Sequence, residues 1–162
     1  MAKKIKPVWK RLGDPGANAR RELPALARHY FASGRALLGG KVTPRQLHPF
    51  RLETKRFRYT LELFQPVYGP SLDRKIAALR EIQGYLGDIN DCVTTAGLLK
   101  EMGVRKSPQT AALLSFLDAE AARITAAFSK YWKETFDAAA RERQWCDYLT
   151  RYAGVKPKAV SR

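Results

Sequence analysis

The sequence predicts an all-α fold, an antiparallel bundle of five or six helices, on three observations. Apolar side chains recur at helical spacing through every long segment. No stretch sustains the two-residue alternation of a half-buried strand. The connections are short and rich in Gly, Pro and capping side chains, which favours helices packed on their neighbours in sequence. At 162 residues the chain reads as one domain, long enough to bury a core without disulfides.

Residues 1–13 read as a basic flexible arm. Lys3, Lys4, Lys6, Lys10 and Arg11 face no acid, Gly13, Pro15 and Gly16 interrupt any helix, and Trp9 is placed to tack the arm onto the domain. Residues 14–154 form the helical domain, and 155–162 a basic tail. Leu23, Leu26, Ala27, Tyr30, Phe31, Leu37 and Leu38 stripe a first helix over 17–38, which Pro24 either starts or kinks and Gly39-Gly40 stop. Thr43, Pro44 and Gln46 make a capping-box start for a central helix reaching Phe64. Pro49 either bends that helix beside His48 or begins its regular part after a short opening turn. Ser71 is expected to cap the next helix, which Gly87 ends; Asp88 caps a further helix over 89–102, stopped by Gly103. Ser107-Pro108 opens a long run through Phe136 with a break at Asp137. A last segment with Trp145, Tyr148, Leu149 and Tyr152 ends at Gly154.

Charge, not hydrophobicity, sets the chain apart. Thirty Lys and Arg against 15 Asp and Glu give +15, a surplus that attracts nucleic acid, anionic membrane or a polyphosphorylated partner. Cys92 and Cys146 stand far apart with no metal-ligand spacing, so neither a zinc site nor a disulfide framework is expected, and a reducing cytoplasm is the default. The N-terminus lacks the apolar segment of a signal peptide, and no apolar run approaches the ~20 residues that span a bilayer, so no membrane partner is expected.

The basic surplus has a focus. On a helix over 47–64, His48, Arg51, Lys55, Arg58 and Glu62 share an arc of roughly 80°, beside an arc of Leu47, Phe50, Phe57, Leu61 and Phe64 that needs a core. From Arg45 to Arg80 there are eight bases (Arg45, Arg51, Lys55, Arg56, Arg58, Arg74, Lys75 and Arg80) against three acids. Arg forks and Lys ammonium groups one or two turns apart suit a polyanion, bound with steep salt dependence. Arg56 points away from the row toward another surface. His48 opens the arc, either as a hydrogen-bonded structural residue or, kept neutral by its cationic neighbours, as a donor to a phosphate oxygen.

Asp88 and Asp91 resemble a carboxylate pair for Mg²⁺ or acid–base work, but the stronger reading makes Asp88 a cap and has Asp91 and Asn90 hold neighbouring groups in place. GxxxxGK[ST], GxSxG and HExxH are absent, so no enzyme, cofactor or metal is expected. The aromatics of the central helix lie on its core face, which favours a backbone-only polyanion over a base-reading role; nucleic acid is the second choice.

These residues carry a resemblance. LHPFRLETKRFRYTLELF, with His48, Arg51, Lys55, Arg56, Arg58, Tyr59, Glu62 and Phe64, followed by LREIQGYLGDINDC, with Leu86, Gly87, Asn90 and Asp91, resembles the CHAD (conserved-histidine α-helical) domain family. The resemblance implies a helical bundle that binds inorganic polyphosphate without catalysis, in some members on polyphosphate granules. Arg51, Lys55 and Arg58 would carry the phosphate contacts, with Arg45, His48, Arg56, Arg74, Lys75 and Arg80 extending them. Tyr59, Glu62, Asn90 and Asp91 would support the site. The family usually carries two His-containing repeats around a basic channel, whereas this chain has one. Either a homodimer completes the basic cavity or the chain binds with an open face.

Overall fold

The computed structural model describes residues 7–10, 13–102 and 107–153. The expected cations Lys3, Lys4, Lys6 and Arg11, the stop at Gly103, the end at Gly154 and the tail 155–162 lie outside the described residues. Among those described there are six α-helices and no strand.

Helix α1 (Pro15–Leu38) begins where Asp14 accepts from the Ala17 N–H at 2.7 Å and Pro15 takes the first helical position. It does not start at Pro24, which lies inside it. The missing hydrogen bond there, a cost of about 3 kcal/mol, is offset by burial of Leu23, Pro24 and Ala27. The preceding strand of chain is tied down: Asn18 bonds both the N–H and the carbonyl of Lys10, and Trp9 rests on Phe64 with centroids 5.2 Å apart.

Gln46 turns back on Thr43, accepting from its N–H and its hydroxyl at 2.8 Å each, and Pro44–Leu47 form one 3-10 turn. Helix α2 (His48–Leu63) follows, so Pro49 is its second residue, where no N–H is needed. A single turn, α3 (Gln65–Tyr68), leads to Gly69, whose φ of 70° is open to glycine at little cost.

Helix α4 (Asp73–Glu101) corrects two expectations. It runs for 29 residues through Gly84 and Gly87, and Asp88 caps nothing because it lies mid-helix. Each helical glycine costs about 1 kcal/mol, but Leu79, Ile82, Leu86 and Ile89 are buried on both sides of the pair and hold the helix together. Ser71 caps nothing either: its hydroxyl pairs with the Tyr148 hydroxyl at 2.6 Å.

Helix α5 (Pro108–Tyr131) is capped by Ser107, which accepts from the Thr110 N–H. It widens into a π turn over Trp132–Phe136, closed by the Asp137 N–H to the Trp132 carbonyl at 2.7 Å. Helix α6 (Arg141–Arg151) then folds back along α1, held by Arg35 to Asp137 and Glu142 and by the Tyr68 hydroxyl to the Leu149 carbonyl.

The core is an aromatic cluster. Tyr30 stacks on Phe50 at 5.1 Å and touches Phe57, Trp132 and Phe136. The Trp132 indole lies so close to α1 that a Cβ on Gly34 would come within 2.0 Å of it. Gly34→Ala is therefore expected to lower stability by about 2–3 kcal/mol through overpacking. Gly84→Ala, where a Cβ meets nothing within 4 Å, should raise stability by up to ~1 kcal/mol; urea unfolding of both variants compares them directly.

Candidate functional site: a cationic groove between α2 and α4

Helices α2 and α4 lie antiparallel, joined by a polar rung at each end. At one end the His48 Nδ1 is 3.0 Å from Asn90 Oδ1. At the other, Glu62 Oε1 accepts from Arg58 at 2.7 Å and from Arg80 at 3.0 Å. Between the rungs run Arg51, Lys55 and Arg58 of α2. Arg80, Gln83, Gly87 and Asn90 repeat at helical spacing along the facing side of α4. No atom lies within 4 Å of where a Cβ on Gly84 or Gly87 would stand, so the α4 wall is open there.

The phase of α2 follows from its core side. Phe50, Thr54, Phe57 and Leu61 are buried, and the Thr54 hydroxyl, fully enclosed, donates to the Phe50 carbonyl and accepts from Tyr30. With that face fixed, Arg51, Lys55 and Arg58 emerge half-buried at the border with α4.

The cations of the row differ. Arg58 is held by Glu62 and lies over the Tyr59 ring at 4.5 Å, and its Nε is buried without a partner. Among the described residues, Arg51 and Lys55 form no ion pair, nor do the exposed Arg45, Arg56 and Arg74. Arg45 stands on the turn before α2 and Arg56 on its solvent side. Glu62 and Tyr59 thus hold Arg58, and Asn90 is hydrogen-bonded to His48. Asp91 does not hold a cation: it is exposed on α4, about 100° around the helix from Asn90, and makes no ion pair among the described residues.

The structure separates Arg74 and Lys75 from this groove. Lys75 lies about 140° around α4 from Arg80, with its Nζ over the rings of Trp145 at 4.9 Å and Tyr148 at 4.5 Å. Burial, helped by Arg141 and Arg74 nearby, pushes its pKa down to about 8. Thr94, which accepts from the Asn90 amide at 3.3 Å, belongs to the His48 end and was not singled out by the sequence; its place four residues after Asn90 on one helix face is the signal that could have found it. Also among the described residues, no group of three or more His, Cys, Asp or Glu could hold a metal ion, and no helix is long and apolar enough to cross a membrane.

Lys75 gives a stability test that also separates it from the groove. Its folded pKa of about 8 lies below the ordinary 10.5. The unfolded chain therefore holds more of this proton across that window, and stability rises with pH from about 8 to about 10.5. Lys75→Met should stabilise the protein near pH 7 by about 1 kcal/mol, allowing for partial exposure. That gain should shrink across the same window, as followed by urea midpoints.

Comparison with known proteins agrees with the helical frame. The CHAD domain model matches residues 2–100 of the 162, a span that ends within α4 and includes the whole groove. No curated protein and no solved structure matches the chain. The match covers more than half of the sequence, and the chain belongs to the CHAD domain family.

Proposed function

We propose that the protein binds inorganic polyphosphate in the groove between α2 and α4, without transforming it. The observation that carries this reading is the pair Arg51 and Lys55. They are two cations carried on one helix face, unpaired with acids among the described residues, beside an Arg58 already oriented by Glu62 and Tyr59. Surface cations kept only for solubility gain from nearby acids, whereas these stand clear of them. CHAD domains are associated in general with polyphosphate binding, which supports the same ligand.

The groove runs some 15–20 Å along two helices, a length suited to a flexible chain with a charge on every unit. Base stacking finds little to use. Phe50, Phe57 and Phe64 are buried, and one face of Tyr59 is covered by Arg58. Arg45 and Arg80 extend the row at its ends; Arg56, Arg74 and Lys75 lie outside it. A second copy related by a twofold axis would close the open side of the groove and double its cations. Light scattering with and without polyphosphate tests that extension: a monomer that binds tightly removes it.

The central test is binding of long-chain polyphosphate across a salt series. Arg51→Ala/Lys55→Ala should weaken binding roughly tenfold to hundredfold at low salt. It should also make the log–log salt slope shallower by roughly one to one and a half, at about 0.7 per lost contact. Unchanged binding by the double variant would overturn the reading. Equal competition by duplex DNA at matched salt would favour nucleic acid instead.

A further inference from the structure

The far end of the α4–α5 pair lacks cover. From Gly97 to Met102 on α4 and from Pro108 to Glu120 on α5 no residue is buried. Both segments are nevertheless apolar. Leu98, Met102, Leu113 and Phe116 are 51%, 75%, 44% and 62% exposed, and Leu99, Leu114 and Leu117 are half-buried. A helix draws most of its stability from burying its apolar stripe against a further element, and among the described residues this end has none.

The exposed side chains gather on one face. Tyr85 packs on Phe128 and Tyr131, and burial together with the nearby Glu120 carboxylate raises the Cys92 thiol. The seam between the helices therefore passes 85, 92 and 99 on α4, and 113 and 120 on α5, at seven-residue steps. Leu98 and Met102 lie within about 100° of that seam on α4, and Phe116 within about 40° of it on α5. On both helices this is the side away from the core, which Ile89 and Ala96 face on α4 and Ala121 and Phe128 on α5. Ala112 and Ala119, one turn to either side of Phe116, are exposed and small enough to let another helix come close.

Charge marks out the same region. Residues 88–122 carry five acids against three bases, whereas the other 127 residues carry 27 bases against ten acids. Two copies meeting elsewhere set cation against cation, and a polyanion gains nothing from this face. A twofold contact needs a self-complementary surface, which an apolar centre with little net charge provides. Leu98, Met102, Leu113 and Phe116 expose roughly 500 Å² per copy, most of the ~800 Å² per partner of a stable interface.

We infer that this face joins two copies of the chain, the α4–α5 ends packing about a twofold axis into a four-helix bundle with Phe116 in the contact. The contact is separate from a pairing that closes the cationic groove. The groove opens on the α2 side of α4, and this face lies on the α5 side. It needs no bound polyphosphate and holds whatever the groove takes.

Sedimentation equilibrium of the full chain, without polyphosphate, tests the inference. Wild type should dimerise with a dissociation constant in roughly the micromolar range. Dimerisation should tighten between about 0.05 M and about 0.5 M NaCl, because salt screens the repulsion between two +15 chains and leaves the apolar contact in place. Phe116→Asp and, on the other helix, Leu98→Asp should each raise the dissociation constant by about a hundredfold or more. Both side chains are exposed, so the helical circular-dichroism signal should stay. Arg51→Ala/Lys55→Ala should remain dimeric. A wild type that is monomeric at about 100 µM in both salts, a dimer that weakens as salt rises, one that survives both aspartates, or one lost in the groove variant overturns the inference. The polyphosphate salt series is read separately, so either conclusion can fail without the other.

Discussion

The Tyr30–Thr54 hydrogen bond decides which way α2 faces. Thr54 has one hydroxyl hydrogen, and it goes to the Phe50 carbonyl, so Tyr30 must be the donor of the bond between them. Both groups are sealed in the aromatic core, where an unpaired hydroxyl costs about 1–3 kcal/mol. Turning α2 by one residue would rotate it about 100° and bring Glu53 or Lys55 against the Tyr30 hydroxyl. The bond therefore selects one rotation of the helix. Only in that rotation do Arg51, Lys55 and Arg58 emerge along the border with α4 rather than into the core or open water.

The groove combines two kinds of cation. Arg58 is immobilised by a carboxylate and an aromatic face, so little of its side-chain entropy remains to be lost on binding. Its partner Glu62 also gathers Arg80 from across the groove, which ties the two helices together at that end. Arg51 and Lys55 keep their freedom and their unspent charge. A rigid anchor beside mobile charges is a sensible division for a ligand whose units repeat but whose conformation varies. Elsewhere the strong guanidinium pairs are architectural: Arg35, with Asp137 and Glu142, joins α1 to the last helix.

Much of this was legible in the sequence, because periodicity is a statement about one helix at a time. The cationic arc and the aromatic arc of 47–64 sit where a 3.6-residue period places them, and Thr43, Pro44 and Gln46 form the turn their chemistry suggests. What failed depended on partners. Gly87 and Asp88 look like a stop and a start, yet buried neighbours on both sides carry α4 through them. Ser71 looks like a cap, but a tyrosine 77 residues away takes its hydroxyl. Lys75 counts as one more cation in a basic window until α6 folds over it with two aromatic rings. Asp91 has the right neighbours in sequence and the wrong azimuth in space.

The π turn after α5 has a consequence for the whole carboxy-terminal part of the described chain. Its hydrogen bond spans five residues rather than four, from the Asp137 N–H to the Trp132 carbonyl. In effect it stores one surplus residue in an otherwise regular helix. Deleting that surplus would wind everything downstream back by about 100°. Asp137 would swing off Arg35, and α6 would leave α1 with its aromatic residues uncovered. A single residue's worth of slack thus serves as the joint that lets the last helix turn back and seal the bundle.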